Sequence, residues 1–137
     1  MNHEADLQRV VDFFETLTLE TASQLGRVYA QDVTFKDPFN EVKGLRETTK
    51  LFTHMFKQVN GPRFVVETKI VQGDDAFITW QFFFRMHHFS KKEQCIRGAT
   101  HLRFNGDGLV SMHRDYWDAA EELYEKLPVL RSMMRVL

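Results

Sequence analysis

The sequence predicts an α+β fold in which helices precede a sheet. Apolar residues recur at helical spacing from Ala5 to Val59, and after Pro62 the pattern changes to strand-like alternation that continues to Trp117. Turn signals such as Asn105-Gly106-Asp107-Gly108 divide the second part into four consecutive strands. Helices followed by an antiparallel meander are typical of helices packed on one face of a sheet.

Three helices are predicted in the first half of the chain, over residues 5–17, 21–29 and 45–59. Gly44 precedes the third helix, and Asn60-Gly61-Pro62 is predicted to end it. Its apolar stripe consists of Leu51, Phe52, Met55, Phe56 and Val59.

Two short strands are predicted between the helices, over residues 33–37 and 39–43. The meander that follows occupies residues 64–71, 76–89, 94–104 and 109–117. Residues 119–137 are predicted to form a helical tail, which is expected to pack on the body because two arginines are few for binding lipid.

Composition limits the range of functions. With 137 residues the chain has the size of one domain, and 13 Phe, 2 Trp and 3 Tyr give it an aromatic core that could enclose an apolar ligand or support an oligomer interface. A formal net charge of −1 does not favour nucleic acid as a partner. The polar N-terminus and the absence of a long apolar run predict a cytoplasmic protein.

No cofactor or metal site is predicted. The adjacent pair His87 and His88 would point to opposite faces of a strand and could not converge on one ion. The single cysteine, Cys95, cannot form an intramolecular disulfide.

Asp37 is the first candidate for chemistry. Phe35 and Phe39 flank it and Pro38 follows it, so an extended backbone should project the carboxylate from the end of a strand. Aromatic surroundings raise the pKa of a carboxyl group toward the range useful for proton transfer. The alternative is that Asp37 only accepts backbone N–H groups in an Asx turn.

Hairpin register assigns the strand residues to two faces. A turn at Gly106-Asp107 pairs Thr100 with His113, and a turn at Lys91-Lys92 pairs Thr100 with Phe83. The face expected to line a pocket carries Phe77, Thr79, Gln81, Phe83, Arg85, Thr100, Leu102, His113, Asp115 and Trp117. The face expected to form a homodimer interface carries Trp80, Phe82, Phe84, Met86, Met112 and Tyr116, among others.

Three segments resemble a known family. They are residues 29–39, with the motif Asp37-Pro38, the turn at 103–108, and the ending Asp115-Tyr-Trp-Asp118. Together with the order of helices and strands, they resemble the ketosteroid isomerase and SnoaL-like branch of the nuclear transport factor 2-like (NTF2-like) superfamily. The resemblance implies a cone-shaped curved sheet wrapped by about three N-terminal helices, an apolar pocket, and dimers through the outer sheet face. It also implies that Asp37 matches a proton-shuttling aspartate.

The resemblance also has departures. The isomerases carry a tyrosine and a protonated aspartate as oxyanion-hole donors, and the positions of this chain that resemble them hold Phe13 and Thr100. Because phenylalanine cannot donate a hydrogen bond, steroid isomerase activity is not expected. His113 and Asp115 occupy positions that are apolar in the family, so polar chemistry is predicted there.

These observations lead to two functional hypotheses. In the first, a cofactor-free enzyme uses Asp37 as base and His113 with Asp115 as acid or orienting pair, on a small apolar molecule held by Phe13, Phe39, Phe83 and Trp117. In the second, the chain is a non-catalytic ligand carrier or accessory dimerisation module, and His113 with Asp115 is a buried structural pair. Epoxide hydrolysis is a further alternative, and it would need Arg85 to lie between Asp37 and Asp115.

Overall fold

A computed structural model describes residues 2–87, 92–118 and 121–122 of the chain. In order, the main elements are α1 (Glu4–Glu15), α2 (Leu19–Ala22), β1 (Tyr29–Lys36), β2 (Glu41–Lys43), α3 (Leu45–Lys57), β3 (Val59–Gln72), β4 (Asp75–Met86), β5 (Gln94–Phe104) and β6 (Val110–Tyr116). The described strands form one sheet in the order β2-β1-β6-β5-β4-β3. The predicted α+β class, with helices on one face of a curved sheet, is confirmed.

The helices cover the inner face of the sheet through their apolar stripes. Helix α1 buries Leu7, Val10, Val11, Phe13 and Phe14, and helix α3 buries Leu51, Phe52, Met55 and Phe56. Fully burying a side chain of this size stabilises the fold by about 1.5–3 kcal/mol. Most of the stability of these short helices therefore comes from packing on the sheet.

The second predicted helix, over residues 21–29, is wrong beyond its first two residues. Helix α2 ends at Ala22, a short 3-10 turn spans Leu25–Arg27, and Tyr29 already belongs to β1. The amide of Val110 donates to the carbonyl of Val28 at 2.9 Å, so pairing with β6 takes the chain out of the helix.

Strand β1 makes the contact that assembles the site. It pairs antiparallel with β2 and parallel with β6, where Phe35 lies opposite His113. The local pattern could not reveal this parallel pairing, because it joins strands separated by most of the chain. It brings the end of β1, where Asp37 follows, beside Asp115 near the end of β6.

Strand β3 begins earlier than predicted. The segment Asn60-Gly61-Pro62 does not separate helix from strand but lies within β3, where the register with β4 shifts between Asn60 and Arg63. Gly61 has a φ of +59° there, a conformation that a glycine adopts without steric cost. Such a bulge bends the strand and contributes to the curvature of the sheet.

The predicted register between β4 and β5 is wrong. Thr100 lies opposite Ile78 rather than Phe83, a displacement of five positions along β4. An odd displacement exchanges the two faces of a strand. The physical reason is that β4 ends at Met86 and β5 begins at Gln94, so the connection is longer than a tight turn at Lys91-Lys92.

The observed register between β5 and β6 differs from the predicted register by an even number of positions. Thr100 lies opposite Asp115 instead of His113, a displacement of two positions, which leaves both faces unchanged. Thr100, Leu102, His113 and Asp115 therefore stay on the inner face as predicted, because only β4 is reversed.

The reversal of β4 removes four of the six residues named for the predicted dimer interface. Trp80, Phe82 and Phe84 are 7%, 2% and 0% exposed and belong to the core, and Met86 packs against that core. Met112 and Tyr116 lie on the outer face, where Tyr116 is exposed together with Phe77.

The predicted tail, residues 119–137, lies outside the described residues apart from Glu121 and Glu122, which are helical. None of the helices in the described ranges combines the length and apolar character needed to span a membrane.

Candidate functional site

A chain of five hydrogen-bonded side chains crosses the inner face of the sheet. Tyr29 Oη bonds to Nδ1 of His113, and Nε2 of His113 lies 2.6 Å from Oδ1 of Asp115. Thr100 Oγ1 lies 2.6 Å from the same oxygen, and Nε1 of Trp80 donates to Thr100 at 2.7 Å. The members come from β1, β4, β5 and β6 and meet only in the folded sheet.

The donors in this hydrogen-bonded series of side chains determine the direction in which each bond is donated. An indole N–H can only donate, so Thr100 accepts from Trp80 and turns its own proton toward the Asp115 carboxylate. The carboxylate also accepts from His113, which places the imidazole proton on Nε2 and leaves Nδ1 to accept from Tyr29. The tautomer with its proton on Nε2 therefore satisfies both hydrogen bonds of the ring.

Tyr29 anchors the far end of the chain. It is 1% exposed, and burial, with a smaller contribution from the charge of Asp115, raises the pKa of its phenol well above the usual 10.0. The phenol consequently keeps its proton and can donate it to Nδ1 of His113.

Asp115 has one committed oxygen and one uncommitted oxygen. Oδ1 accepts from both His113 and Thr100, whereas no side chain or amide among the described residues donates to Oδ2. The carboxyl group also borders the cavities below. Asp115 is therefore held in a fixed orientation with an acceptor left for a ligand.

Asp37 lies just beyond β1 and is 7% exposed. Its Oδ1 accepts from the amides of Phe39 at 2.8 Å and Asn40 at 2.6 Å, so the predicted Asx turn is confirmed. Burial raises the pKa of Asp37 and the nearby Asp115 charge adds to the effect, while the bonds from Phe39 and Asn40 oppose it. The same carboxylate thus shapes the turn and carries a disfavoured charge beside the cavity.

The cavity consists of two small lobes under helices α1 and α3. The first has a volume of about 40 Å³ and the second about 30 Å³, and both are bordered by Phe52, Phe64, Trp80 and Asp115. Each can hold water, since a single water needs roughly 10–15 Å³ of such space. Each is well below the roughly 150 Å³ that holds benzene in an engineered apolar cavity.

The first lobe opens beside Asp37, Asp115 and Trp117, which also border a wide depression on the surface. The ring of Phe39 packs edge-on against Trp117 there, with centroids 5.8 Å apart. We call this opening the mouth, and define it by Asp37, Phe39, Asp115 and Trp117. A ligand with a small apolar end could fill the lobes and leave the remainder at the mouth.

The structure brings some of the predicted site residues together. His113, Asp115, Thr100 and Leu102 border the second lobe, and Asp37 and Trp117 border the first. Phe39 lies at the mouth.

The structure separates the other predicted site residues from the cavity. Phe77, Gln81, Phe83 and Arg85 lie on the outer face because of the reversed register of β4. Arg85 is ion-paired with Glu93 at 3.8 Å, so the Asp-Arg-Asp arrangement needed for epoxide hydrolysis does not form. Phe13 is buried beside Arg27 and Val28, whereas the next residue of α1, Phe14, faces the second lobe.

Sequence patterns did not reveal Tyr29 and Trp80 as members of this hydrogen-bonded chain. The apolar spacing placed Tyr29 in a helix, and the wrong register placed Trp80 on the outer face. A buried tyrosine and tryptophan each require a hydrogen-bond partner, and that requirement is the one signal that could have directed both toward the polar residues of the inner face.

Residues 10–113 match the SnoaL-like domain. The chain belongs to this family. Solved structures described as ketosteroid isomerase-like and NTF2-like share the fold of this chain, whereas no curated protein sequence gives a significant match to it.

Three solved structures illustrate the shared fold. A protein from Catenulispora acidiphila with a ketosteroid isomerase-like fold, in complex with trimethylamine, has a TM-score of 0.75 at 18% identity, covering 88% of this chain and 93% of its own. A LEH-like epoxide hydrolase from M. tuberculosis has a TM-score of 0.72 at 16% identity, covering 96% and 94%. A candidate SnoaL-like polyketide cyclase from Jannaschia has a TM-score of 0.71 at 14% identity, covering 96% and 93%.

Proposed function

We propose that this SnoaL-like protein is a cofactor-independent acid–base enzyme that acts on a small, largely apolar molecule. Asp115 exchanges a proton with the substrate through Oδ2, and His113, Thr100 and Tyr29 keep its carboxylate oriented. The observation that carries the proposal is the half-committed Asp115 carboxylate at the border of an apolar cavity.

Asp37 has an electrostatic role in this proposal. Its negative charge lies near Asp115, and the mutual repulsion favours the protonated form of one of the two groups. A carboxyl pair whose members differ in protonation provides an acid and a base in the same cavity. Isomerisation, dehydration and hydrolysis all use such a pair.

The similar structures are compatible with several of these reactions. The epoxide hydrolase and the candidate polyketide cyclase share the fold with this chain at identities that carry no reaction across. The trimethylamine complex of the Catenulispora protein supports a small ligand, in agreement with the modest size of the lobes.

Hydrogen exchange on two simple probe molecules tests the proposal. Two five-membered rings, neutral cyclopentanone and the cation N-methyl-1-pyrrolinium, would be incubated in D2O with the wild type or with Asp115→Asn. NMR would then follow deuterium incorporation next to the C=O or C=N carbon. Exchange that exceeds the buffer rate and depends on Asp115 supports the enzyme. Equal rates with wild type, Asp115→Asn and buffer on both rings would oppose it.

The second candidate is a non-catalytic ligand-binding module. It is favoured by the bonds of Asp37, which accepts two backbone amides and so has a structural role even without a reaction. Asp37→Asn separates the candidates, because an enzyme loses turnover while a carrier retains its ligand.

We also infer a homodimer through the outer sheet face, with a corrected set of residues. Ile70 and Phe77 lie opposite each other and are 55% and 46% exposed, and Tyr116 on the same face is 48% exposed. Large apolar side chains exposed on one sheet face favour association. Sedimentation of the wild type and of Phe77→Glu distinguishes a dimer through this face from a monomer.

A further inference from the structure

We propose that the ligand of this cavity is a small organic cation, such as an alkylammonium or iminium ion. The inference concerns the same cavity as the proposed function and names the class of substrate that its charges select. It rests on three observations. The cavity is bordered by aromatic rings and carboxyl groups, basic residues and free donors are scarce beside it among the described residues, and a reaction there would change the charge of the substrate.

The inner lobes offer aromatic faces and carboxylates. Six rings border the first lobe, and Asp37 and Asp115 are its charged side chains, with no lysine, arginine or histidine among the described residues that border it. Aromatic faces attract cations, and the attraction grows when the cation loses water. A neutral apolar ligand would use the rings but leave the negative charge of this acidic pair without a counter-charge.

Two basic residues, Lys36 and Arg114, border the surface depression outside the mouth but neither lobe of the cavity. Lys36 and Arg114 lie opposite each other on the outer face, since their neighbours Phe35 and His113 occupy the inner face. Lys36 pairs with Glu41 at 3.4 Å, and the guanidinium of Arg114 lies 4.8 Å from the ring centroid of Tyr116. Neither therefore supplies the missing positive charge within the cavity.

The side-chain donors of the site are already committed. Trp80 donates to Thr100, and Thr100 and His113 both donate to Asp115. Within the described residues, the indole N–H of Trp117 is the one side-chain donor bordering the first lobe that makes no hydrogen bond. A single neutral donor is weak support for an oxyanion beside two carboxylates.

The sign of the charge decides which substrate the site favours. When Asp115 removes a proton next to a neutral carbonyl, the product is an enolate anion, which the remaining carboxylate of Asp37 would repel. When an iminium ion loses the proton beside its C=N bond, the C–H electron pair forms a C=C bond. The C=N π pair then becomes the nitrogen lone pair. Asp115 takes the proton, and the product is a neutral enamine.

A pair of matched probes tests the charge directly. Choline and 3,3-dimethylbutan-1-ol have the same shape and differ in the charge of the central atom. Titration calorimetry on the full chain should show choline binding at least about tenfold more tightly, the scale expected for a desolvated cation on aromatic faces. Equal binding, or tighter binding of the alcohol, would overturn the inference.

Three variants test whether the preference for choline arises in the cavity. Asp115→Asn should remove most of the preference for choline, and Trp117→Leu should weaken choline more than the alcohol. Asp32→Asn, a matched change at an exposed carboxylate on β1, should leave the preference intact. A preference that survives Asp115→Asn in protein with an unchanged NMR fingerprint would also overturn the inference.

The two proposals fail in different ways. Asp115-dependent exchange on cyclopentanone without a preference for choline would retain the enzyme and reject the cation. A strong preference for choline without exchange on either ring would retain the cation site and reject the enzyme.

Discussion

Two buried histidines of this molecule are held by aspartates, and they have opposite electrostatic surroundings. His3 is 0% exposed and bonds Asp6 through Nδ1 at 2.7 Å and Asp74 through Nε2 at 2.9 Å. His113 is 5% exposed and bonds one aspartate and one tyrosine. A histidine between two carboxylates favours the imidazolium ion, whereas a phenol and a carboxylate can be satisfied by a ring with a proton on one nitrogen.

The carboxyl groups of the two regions have pKa values shifted in opposite directions. The hydrogen bond with His3, aided by Arg9, lowers the pKa of Asp6. Burial raises the pKa of Asp37 instead. The cluster of His3, Asp6 and Asp74, which we call the N-terminal clasp, stabilises its charges and joins α1 to the β3–β4 turn. The cavity retains a charge that is poorly compensated, and such imbalance is more common at functional sites.

Replacement of one carboxyl group by an amide in each region should give the largest contrast in the rate of hydrogen exchange. Asp115→Asn removes the proposed proton carrier and should lower the exchange rate about 100- to 10,000-fold, the usual contribution of a general acid or base. Asp74→Asn changes the clasp in the same chemical way and should leave the rate unchanged. Deuterium incorporation followed by NMR measures both. Comparable losses in the two variants would remove the distinction between the regions.

Tyr29→Phe should produce the next largest effect. It deletes the donor to Nδ1 of His113 in a buried place, and an unsatisfied buried group costs roughly 1–3 kcal/mol. Urea unfolding measures the loss, and the ¹⁵N shifts of His113 report the tautomer. We expect protonated Nε2 in the wild type and a mixture in the variant. An unchanged tautomer would show that Tyr29 does not set the direction of the chain.

His3→Gln should have a smaller effect that depends on pH. The hydrogen bond to Asp6 raises the pKa of His3, burial opposes it, and Asp74 adds to the increase. The stabilisation from His3 is therefore fully present below pH 6.5, the unfolded value, and is lost as pH rises through the higher folded value.

The aspartate side of the clasp sets the acid limit. Because the pKa of Asp6 is lowered, its contribution is present above pH 3.8 and is lost as pH falls through the folded value. The difference in unfolding free energy between wild type and His3→Gln should therefore be largest between about pH 4 and 6.5. A difference that is constant from pH 4 to 9 would contradict an ionic clasp.

Asp37→Asn should have the smallest effect on stability, and it should stabilise the fold where the other variants destabilise it. Asparagine retains an oxygen that can accept from Phe39 and Asn40, and it removes the buried charge. Since the folded pKa of Asp37 is raised, its ionisation destabilises the fold as pH rises above 3.8. The variant should match or exceed the wild type in thermal stability at pH 7 and lose this advantage near pH 3. A clear destabilisation at pH 7 would show that the ionised carboxylate is needed for the turn.

Local patterns predicted the elements whose chemistry is local. The stripe of α3 and the turn at residues 105–108, where Asn105 Oδ1 accepts from Asp107 and Leu109, are present as expected. The turn formed by Asp37 is another such case. Each depends on neighbours within a few positions, which the sequence displays directly.

The site was only partly predictable. His113 and Asp115 were placed on the correct face because their register differs from the prediction by an even number of positions. Gln81 and Arg85 were placed on the wrong face because the register across the longer connection differs by an odd number. Tyr29 was missed because its strand pairs with β6, 81 positions along the chain from Tyr29 to Val110. The wrong predictions therefore lie where contacts are distant in sequence.

The sequence by itself determined the α+β class, the order of most elements, the aromatic core and the acidic turn after β1. Tertiary structure decided which face of β4 became the interior and which partners His113 received. The physical reason is that side-chain periodicity specifies that a strand has two faces but not which is buried. Packing of Trp80 and Phe82 beneath the helices, and the parallel pairing of β1 with β6, made that choice.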